Sequence, residues 1–401
     1  MLFSNGDMKP AQKLLPVPLV SDGEHLVAAY SGNADGPTLI VVGSIHGNEP
    51  AGAEALVNVS GTLAAKEQKL RGRVYLVAGN TRGLPLRVRF VDHDLNRAWT
   101  RDGMASVGTP RLMESSEGRE LTEIDRLLDS ILITARSEVY VLDLHSTSAD
   151  GLPFATVGDT LRNRKFAQKF PVTILLGIEE QLEGTMLEYL NNAGAVTLGF
   201  EGGQHLSPVT VENHVSLIWL ALVNTGILTA PDVPDLHEHR TRLSTKKLDS
   251  RIVEVRYREA VTADDAFKMN PGFNNFDSVT RGQIVANNRR GSVTAPEDGM
   301  ILMPLYQKLG EDGFFIGRTV SPFWLRVSEV LRRLKIQDYV YWLPGVARDE
   351  HDRETLIINT HVARLFPLQI FHLLGFRKRR WSGNKLIVSR RRHDTTSPFT
   401  T

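Results

Sequence analysis

The 401-residue sequence contains no cysteine. This absence excludes disulfide bonds, thiolate metal ligands and a cysteine nucleophile, and it fits a reducing compartment. Any metal site in this chain must therefore be built from histidine and carboxylate side chains.

The sequence also lacks a long apolar run and a large net charge. No stretch approaches 18 uncharged apolar residues, and residues 1–10 lack a basic region followed by a long apolar stretch, so we expect a cytoplasmic protein. The formal charge of +1 comes from 47 basic and 46 acidic residues, and this balance predicts neither nucleic-acid binding nor a strongly acidic partner. The 41% hydrophobic content is enough for a sizeable core.

Short apolar runs alternate with helix-like segments through the first half of the chain, which predicts an α/β fold. The strand candidates are residues 37–43, 74–78, 139–144 and 172–176, and the helix candidates include residues 51–60 and 121–135. Residues 100–120 lack clear periodicity and predict a long surface excursion near an active-site mouth. After about residue 230, prolines and a highly charged stretch indicate a linker to a β-rich domain. We therefore predict domains at 1–232 and 233–330, with a basic extension at 331–401.

His46 and Glu49 lie in the motif His-Gly-Asn-Glu, directly after an apolar run, and His145 follows a second such run. Imidazole and carboxylate groups are zinc ligands, and three protein ligands with one open position make a catalytic rather than a structural site. Ligands in open α/β sheets bind beyond the carboxyl ends of the strands, where these residues should meet. A His-x-x-Glu pair alone also occurs by chance, as a helix cap or a backbone contact.

Residues 89–97 bring two arginines, two aspartates and an asparagine into nine positions. With the motifs His-Gly-Asn-Glu, Asp-Leu-Asn-Arg and Asp-Leu-His-Ser, and the later Gly-Phe-Glu-Gly-Gly, the chain resembles the succinylglutamate desuccinylase/aspartoacylase family, a branch of the zinc carboxypeptidase (M14) clan. The resemblance covers residues 35–225 well and extends loosely to about residue 320. It implies a zinc-carboxypeptidase-like mixed sheet flanked by helices, with one zinc ion per chain.

The resemblance also implies a role for each residue of the set. Glu201 matches the general base, and it follows an apolar run and precedes two glycines that allow close backbone approach. Arg89 matches the arginine that stabilises the oxyanion. Asn96 and Arg97 match the pair that holds a substrate carboxylate, and Asp94 matches the aspartate that orients a metal-binding histidine, here His46. An ordinary surface salt-bridge cluster is the alternative for Asp94 and the arginines. His205 could also help to protonate the leaving amine.

The family pattern includes a further arginine about ten residues before the general base, where this chain has residues 188–193, Glu-Tyr-Leu-Asn-Asn-Ala. The departure favours a substrate with one carboxylate, or with an amide or other polar group in place of the second. We therefore predict a zinc-dependent deacylase acting on a small carboxylate-bearing amide. A metallocarboxypeptidase remains the alternative, because it would use the same metal, base and carboxylate clamp. The acyl group, the amine, the physiological metal and the oligomeric state stay open.

The second half of the chain is predicted to form a wall of the active site rather than a second active site. Residues 291–304 resemble the hairpin region of a small lipoyl-like β-barrel, but Glu297, Asp298 and Gly299 stand where a carrier lysine would be expected. Residues 310–315 predict either part of the site wall or a turn before a buried edge strand. The apolar segment 363–375 and the arginines that follow could contact a membrane or a partner, although packing on the catalytic domain is the simpler interpretation.

Overall fold

The computed structural model describes residues 23–32, 35–233, 235–244, 251–307, 310–359, 362, 368–382 and 384–399. Within these ranges, no helix is both long enough and apolar enough to span a bilayer.

The N-terminal unit of the chain, up to residue 244, alternates strands and helices, as predicted. Its strands are β1 Leu26–Ser31, β2 Thr38–Gly43, β3 Arg73–Ala78, β4 Val139–Thr147, β5 Phe154–Thr156, β6 Thr173–Leu176 and β7 Val196–Gln204. Its helices are α1 Ala51–Ala64, α2 Arg101–Ala105, α3 Pro110–Met113, α4 Ser116–Thr134, α5 Leu161–Ala167, α6 Met186–Asn192, α7 Pro208–Asn224 and α8 Leu236–Leu243.

Strands β2, β4 and β7 are parallel neighbours in the middle of the sheet. All six residues of β2 are buried, as expected for a parallel strand that helices cover on both faces. Leu39 and Val41 pack into the core that contains α1 and α7, whereas Ile40 and Val42 pack into the core under α4 and α6. Because alternate side chains of β2 pack on opposite faces of the sheet, the strand is fixed between two layers of helices. The carboxyl end of β2 is therefore held in place.

Residues 100–120 differ from the predicted surface excursion. They contain α2, α3 and the first turn of α4, and none of them lines the active-site cavity described below. The polar residues that obscured the periodicity are helix caps, because Thr100, Thr109 and Ser115 each accept a backbone N–H from the first turn of a helix. Helices of four or five residues are too short to show a 3.6-residue period.

The β-rich unit continues the large sheet instead of standing apart from it. Its strands are β8 Ile252–Ala260, β9 Lys268–Met269, β10 Ser278–Val279, β11 Ile284–Asn288, β12 Gly291–Thr294, β13 Gly299–Leu302 and β14 Asp312–Thr319. Strand β8 pairs in parallel with β6, which produces an eleven-stranded mixed sheet in the order β1-β3-β2-β4-β7-β5-β6-β8-β14-β13-β10. Strands β12, β11 and β9 form a second sheet.

Two local expectations for this unit need correction. Residues 291–304 do not form a hairpin, because β12 pairs with β11 while β13 pairs with β14 and β10. Residues 310–315 lead into β14, which is buried as expected but lies between β8 and β13 rather than at a sheet edge. The shared core of Val285, Ile301 and Phe314 links the two sheets, since apolar side chains of both point inward. The likeness to a lipoyl-type barrel remains a prediction.

The described residues from Pro322 onward form a folded unit. Its elements are α9 Pro322–Arg333, β15 Val346–Arg348, β16 Thr355–Asn359, α10 Leu368–Leu373, β17 Arg377–Ser382 and β18 Lys385–Ser389. The predicted boundary at residue 330 falls inside α9. Phe371 of α10 is buried in this unit's own core, in agreement with the packing interpretation, whereas residues 363–367 of the apolar segment lie outside the described residues.

A buried ion cluster attaches this unit to the N-terminal unit. Asp159 accepts hydrogen bonds from Arg164 Nε of α5 at 2.6 Å and from Arg377 Nε of β17 at 3.0 Å, and Arg332 Nη2 of α9 lies 3.1 Å away. The side chains of Asp159 and Arg332 are both fully buried. Burial raises the pKa of Asp159, but the three guanidinium charges outweigh it and hold the pKa well below its ordinary value.

We expect Asp159→Asn to lower the free energy of unfolding by about 3–5 kcal/mol, because it leaves three arginines facing an uncharged group in a buried site. Urea denaturation followed by circular dichroism measures the loss. Glu329→Gln is the matched control, since Glu329 pairs with Arg333 on the exposed face of α9 and should change stability by less than about 1 kcal/mol. Equal losses in the two variants would contradict the role assigned to Asp159.

Candidate metal centre and active site

The turn between β2 and α1 carries His46 and Glu49. Ser44, at a positive φ of 62°, donates from its hydroxyl to the Glu49 carbonyl at 2.7 Å and accepts the Ala53 N–H at 3.0 Å. A Cβ at Gly47 would come within 2.2 Å of the Gly83 backbone, so this position requires glycine. The turn is therefore closed by backbone contacts, and both side chains emerge from it at the carboxyl edge of the sheet.

The three predicted metal ligands come together at this edge. His46 Nδ1 lies 2.9 Å from Glu49 Oε1, and His145 Nδ1 lies 3.4 Å from Glu49 Oε2. His46 and Glu49 are buried, and one ligand atom from each of the three residues lies within 4.8 Å of the others. Two imidazoles and a carboxylate form a donor set that suits zinc.

A buried aspartate supports each histidine from behind. Asp94 Oδ1 lies 3.2 Å from His46 Nε2, the pairing expected from the sequence, and Asp143 Oδ2 lies 2.8 Å from His145 Nε2. Such carboxylates fix the tautomer of a metal-binding imidazole and turn its other nitrogen toward the ion. The donor set and its supporting carboxylates therefore fit a zinc ion.

Asp143 was not identified from the sequence, although a signal was present. Residues two apart on a strand point to the same face, so Asp143 and His145 of β4 must lie side by side. Burial lowers the pKa of His145, but Asp143 and Glu49 outweigh it and raise that pKa well above its ordinary value. The cluster thus attracts positive charge, which is the property a cation site requires.

Arg89 is held by Asp94. Its Nε and Nη2 donate to Asp94 Oδ2 at 3.0 and 2.8 Å, while its Nη1 lies 3.7 Å from Glu49 Oε1. Asp94 also caps the short 3₁₀ turn Leu95–Arg97 by accepting the Asn96 N–H at 2.9 Å. One aspartate therefore orients His46, Arg89 and the segment that carries the next two predicted residues.

The preceding loop is fixed by a residue that the sequence did not suggest. Glu117, fully buried in the first turn of α4, accepts the backbone N–H groups of Val91 at 2.7 Å and Asp92 at 2.9 Å. Buried polar groups are normally hydrogen-bonded, and these contacts satisfy the Glu117 carboxyl group. Its contacts hold the loop that leads to Asp94.

Asn96 and Arg97 lie at the same cavity but have different surroundings. Asn96 is buried, and its Oδ1 accepts the Met186 N–H at 2.9 Å, which anchors the start of α6. Arg97 donates from Nη1 to the Asn96 carbonyl at 3.0 Å and from Nη2 to Asp312 at 3.2 Å. A guanidinium carries five N–H donors, so donors beyond these two remain for a planar anion.

Glu201 lies on β7 opposite His145, in the parallel register of β4 and β7. Its Oε2 is buried and has no hydrogen-bond partner among the described residues. Burial raises the pKa of Glu201 to about 8, and His145 only partly opposes this shift. Gly202 must be glycine, because a Cβ there would lie 2.5 Å from His214 Nε2, which donates to the His145 carbonyl. The glycine allows the glutamate to lie beside the three candidate metal ligands.

His205 also reaches the site. Its Nδ1 lies 2.8 Å from Ser146 Oγ and its Nε2 lies 3.1 Å from Gln307 Oε1. Burial lowers the pKa of His205, so the imidazole is neutral at pH 7. His93, by contrast, does not line the cavity.

These residues surround a cavity of about 180 Å³ to which all three units of the chain contribute. The N-terminal unit supplies the candidate metal cluster, Glu201 and the arginines. The β-rich unit supplies Asp312 and Phe315, and the C-terminal unit supplies Arg391. The expected wall formed by residues 310–315 is therefore present, because Gly310 and Glu311 also line the cavity.

Residues 35–217 match the model of the succinylglutamate desuccinylase/aspartoacylase catalytic domain. The family resemblance is confirmed. A succinylglutamate desuccinylase from Pseudomonas fluorescens is 29% identical over 119 residues, which are 28% of this chain and 35% of that protein. The matched segment thus spans about a third of the length of this curated desuccinylase.

Solved structures of the family show the same fold. A succinylglutamate desuccinylase/aspartoacylase from Rhodobacter sphaeroides superposes with a TM-score of 0.52 at 18% identity, over 72% of this chain and 88% of that one. The succinylglutamate desuccinylase from Vibrio cholerae gives 0.53 at 18% identity, over 72% and 83%. This chain, with its large mixed sheet flanked by helices and its additional β-sheets, therefore has the desuccinylase/aspartoacylase fold.

Proposed function

We propose that this chain is a zinc-dependent hydrolase that removes the acyl group from a small N-acyl amino acid or a related carboxylate-bearing amide. The observation that carries the proposal is the cluster of His46, Glu49 and His145 with Glu201 in register beside it. The family match supports the reaction class. When bound by the three ligands, zinc supplies a Lewis acid that polarises a carbonyl and lowers the pKa of water from about 15.7 to about 7.

Two arginines bind the substrate and stabilise the charge that develops on it. Arg97 holds the substrate carboxylate with the N–H donors that Asp312 and the Asn96 carbonyl leave available. Arg89 is locked by Asp94, so its Nη1 is directed to the same side as Glu49 and stabilises negative charge on the amide oxygen.

Glu201 moves the proton. Its carboxylate takes a proton from the attacking water at Oε2, the oxygen without a protein partner, and then delivers that proton to the amine nitrogen as the C–N bond breaks. A pKa of about 8 lies near the operating pH, which suits a group that must act first as base and then as acid.

The walls of the cavity favour small amides over peptides. Phe315 and Asp312 of the β-rich unit and Arg391 of the C-terminal unit line it together with the catalytic residues. A peptide extending beyond its terminal residue would have to pass these walls. We therefore place deacylation ahead of the carboxypeptidase alternative, which shares the same metal, base and carboxylate clamp.

Release of free amine by the zinc-loaded protein tests the proposal. We expect hydrolysis of at least one N-acyl amino acid in a panel of acetyl, succinyl and longer acyl derivatives, with kcat/KM at least tenfold above that for C-terminal dipeptides and tripeptides. The same panel with a chelator present is the control, and it should show no release. Preferential cleavage of the peptides would instead establish the carboxypeptidase, and no release from either set would refute a hydrolase of this class.

A further inference from the structure

The cavity is lined, away from the metal cluster, by a polar group of side chains that the proposed reaction does not use. Glu188 and Asn191 of α6 and Arg391, just after β18 of the C-terminal unit, all line it. Arg391 and Glu188 have only 8% and 11% of their side chains exposed. These three residues are called the distal group below.

The distal group contains one cation and one anion, and the two contact each other. Arg391 Nη2 donates to Glu188 Oε1 at 3.1 Å, and its Nη1 donates to Asn192 Oδ1 at 2.6 Å. These contacts fix the guanidinium against α6 at the cavity wall. A ligand with a net negative charge would lie close to the Glu188 carboxylate, and one with a positive charge would lie close to Arg391.

Asn191 adds an acceptor without a partner. Its Nδ2 donates to the Ala195 carbonyl at 2.9 Å, whereas its Oδ1 is buried and makes no hydrogen bond within the described part of the chain. A Cβ placed on Gly158, another residue of the cavity wall, would lie 3.2 Å from this oxygen. The oxygen therefore lies next to a residue of the cavity wall that has no side chain to cover it. Buried acceptors are normally paired, and a ligand N–H can supply the missing donor.

We propose that the distal group is a specificity subsite for an uncharged group that both donates and accepts hydrogen bonds, of which a carboxamide is the simplest. Arg391 donates to the carboxamide oxygen, and Asn191 Oδ1 accepts from its nitrogen. The inference rests on the proposed function, because it names the end of the amide substrate that lies away from the reacting bond. Residues from α6 and from the C-terminal unit then select the substrate together.

Binding can be measured without turnover in the zinc-loaded Glu201→Gln protein by calorimetry. Two series of ligands are compared, with the variable group at the end of the acyl chain in one and at the end of the amino-acid side chain in the other. Each series carries a carboxamide, a carboxylate or an isopropyl group of equal size. We expect the carboxamide to bind at least about tenfold more tightly than both others in one series, the scale of a hydrogen bond to a charged group.

Adding Arg391→Met should reduce the carboxamide preference to within about twofold while the affinity for the isopropyl ligand stays unchanged, which also shows that the fold persists. Arg390→Met is the matched control, because Arg390 pairs with Asp338 and Glu354 outside the cavity. A preference that survives Arg391→Met, or a carboxylate bound as tightly as the carboxamide, would overturn the subsite. The proposed hydrolase activity is tested separately, by measuring amine release with protein that retains Glu201.

Discussion

Replacing both His46 and His145 with alanine is expected to abolish zinc binding, whereas the unaltered protein should bind close to one zinc ion per chain. The two imidazoles contribute two of the three ligand atoms, and the remaining carboxylate of Glu49 cannot hold zinc alone. Activity should be lost with the metal. Elemental analysis after dialysis against a weak chelator measures the zinc content, and circular dichroism verifies that the variant is folded.

A second cluster in the chain provides the control. His25, Glu120 and Glu123 also lie close enough to bind a cation, but Arg82 donates to both Glu123 oxygens at 2.8 and 3.0 Å and already supplies positive charge there. Glu123→Gln should therefore leave the zinc content unchanged. Stoichiometric zinc in the double histidine variant, or loss of zinc in Glu123→Gln, would show that the metal lies elsewhere.

The sequence predicted that His46, Glu49 and His145 would lie together because short contiguous segments encode them. His46 and Glu49 share one turn, and His145 ends a strand that pairs in parallel with the strand before that turn. Parallel strands bring their carboxyl ends to one edge, so two apolar runs are enough to predict that the ligands meet. Asp143 follows from the same strand by its two-residue spacing, and it could have been predicted as well.

Other parts of the site depend on contacts between distant segments. Arg391 reaches α6 across about two hundred residues of sequence, and only the folded C-terminal unit, fixed by Asp159 and its arginines, brings it there. Arg377 and Arg391 are buried, although the sequence places them in basic segments that suggest a surface. The charge of a residue in a sequence does not show whether its side chain is buried. Likewise, no local pattern distinguishes a hairpin in residues 291–304 from two strands that join different sheets, since pairing partners are chosen by the whole fold.

The general base is subject to the most direct test. Glu201→Gln preserves the shape of the side chain but removes its capacity to accept a proton, so kcat should fall by roughly 10²-fold or more. Zinc content should stay at one per chain, because Glu201 lies beside the three ligands without belonging to them. Glu212→Gln is the matched control, since Glu212 pairs with Arg242 on an exposed face of α7 and its variant should keep full turnover.

The two readouts together distinguish three roles for Glu201. Loss of turnover with zinc retained identifies the base, whereas loss of both would make Glu201 a ligand or a residue required for folding. Unchanged turnover would transfer the proton-accepting role to another group, and His205 is the first candidate because it lines the same cavity beside Ser146 and burial keeps it neutral. A neutral imidazole at that place could accept a proton from water at pH 7, so His205→Gln in the Glu201→Gln background would then be the decisive variant.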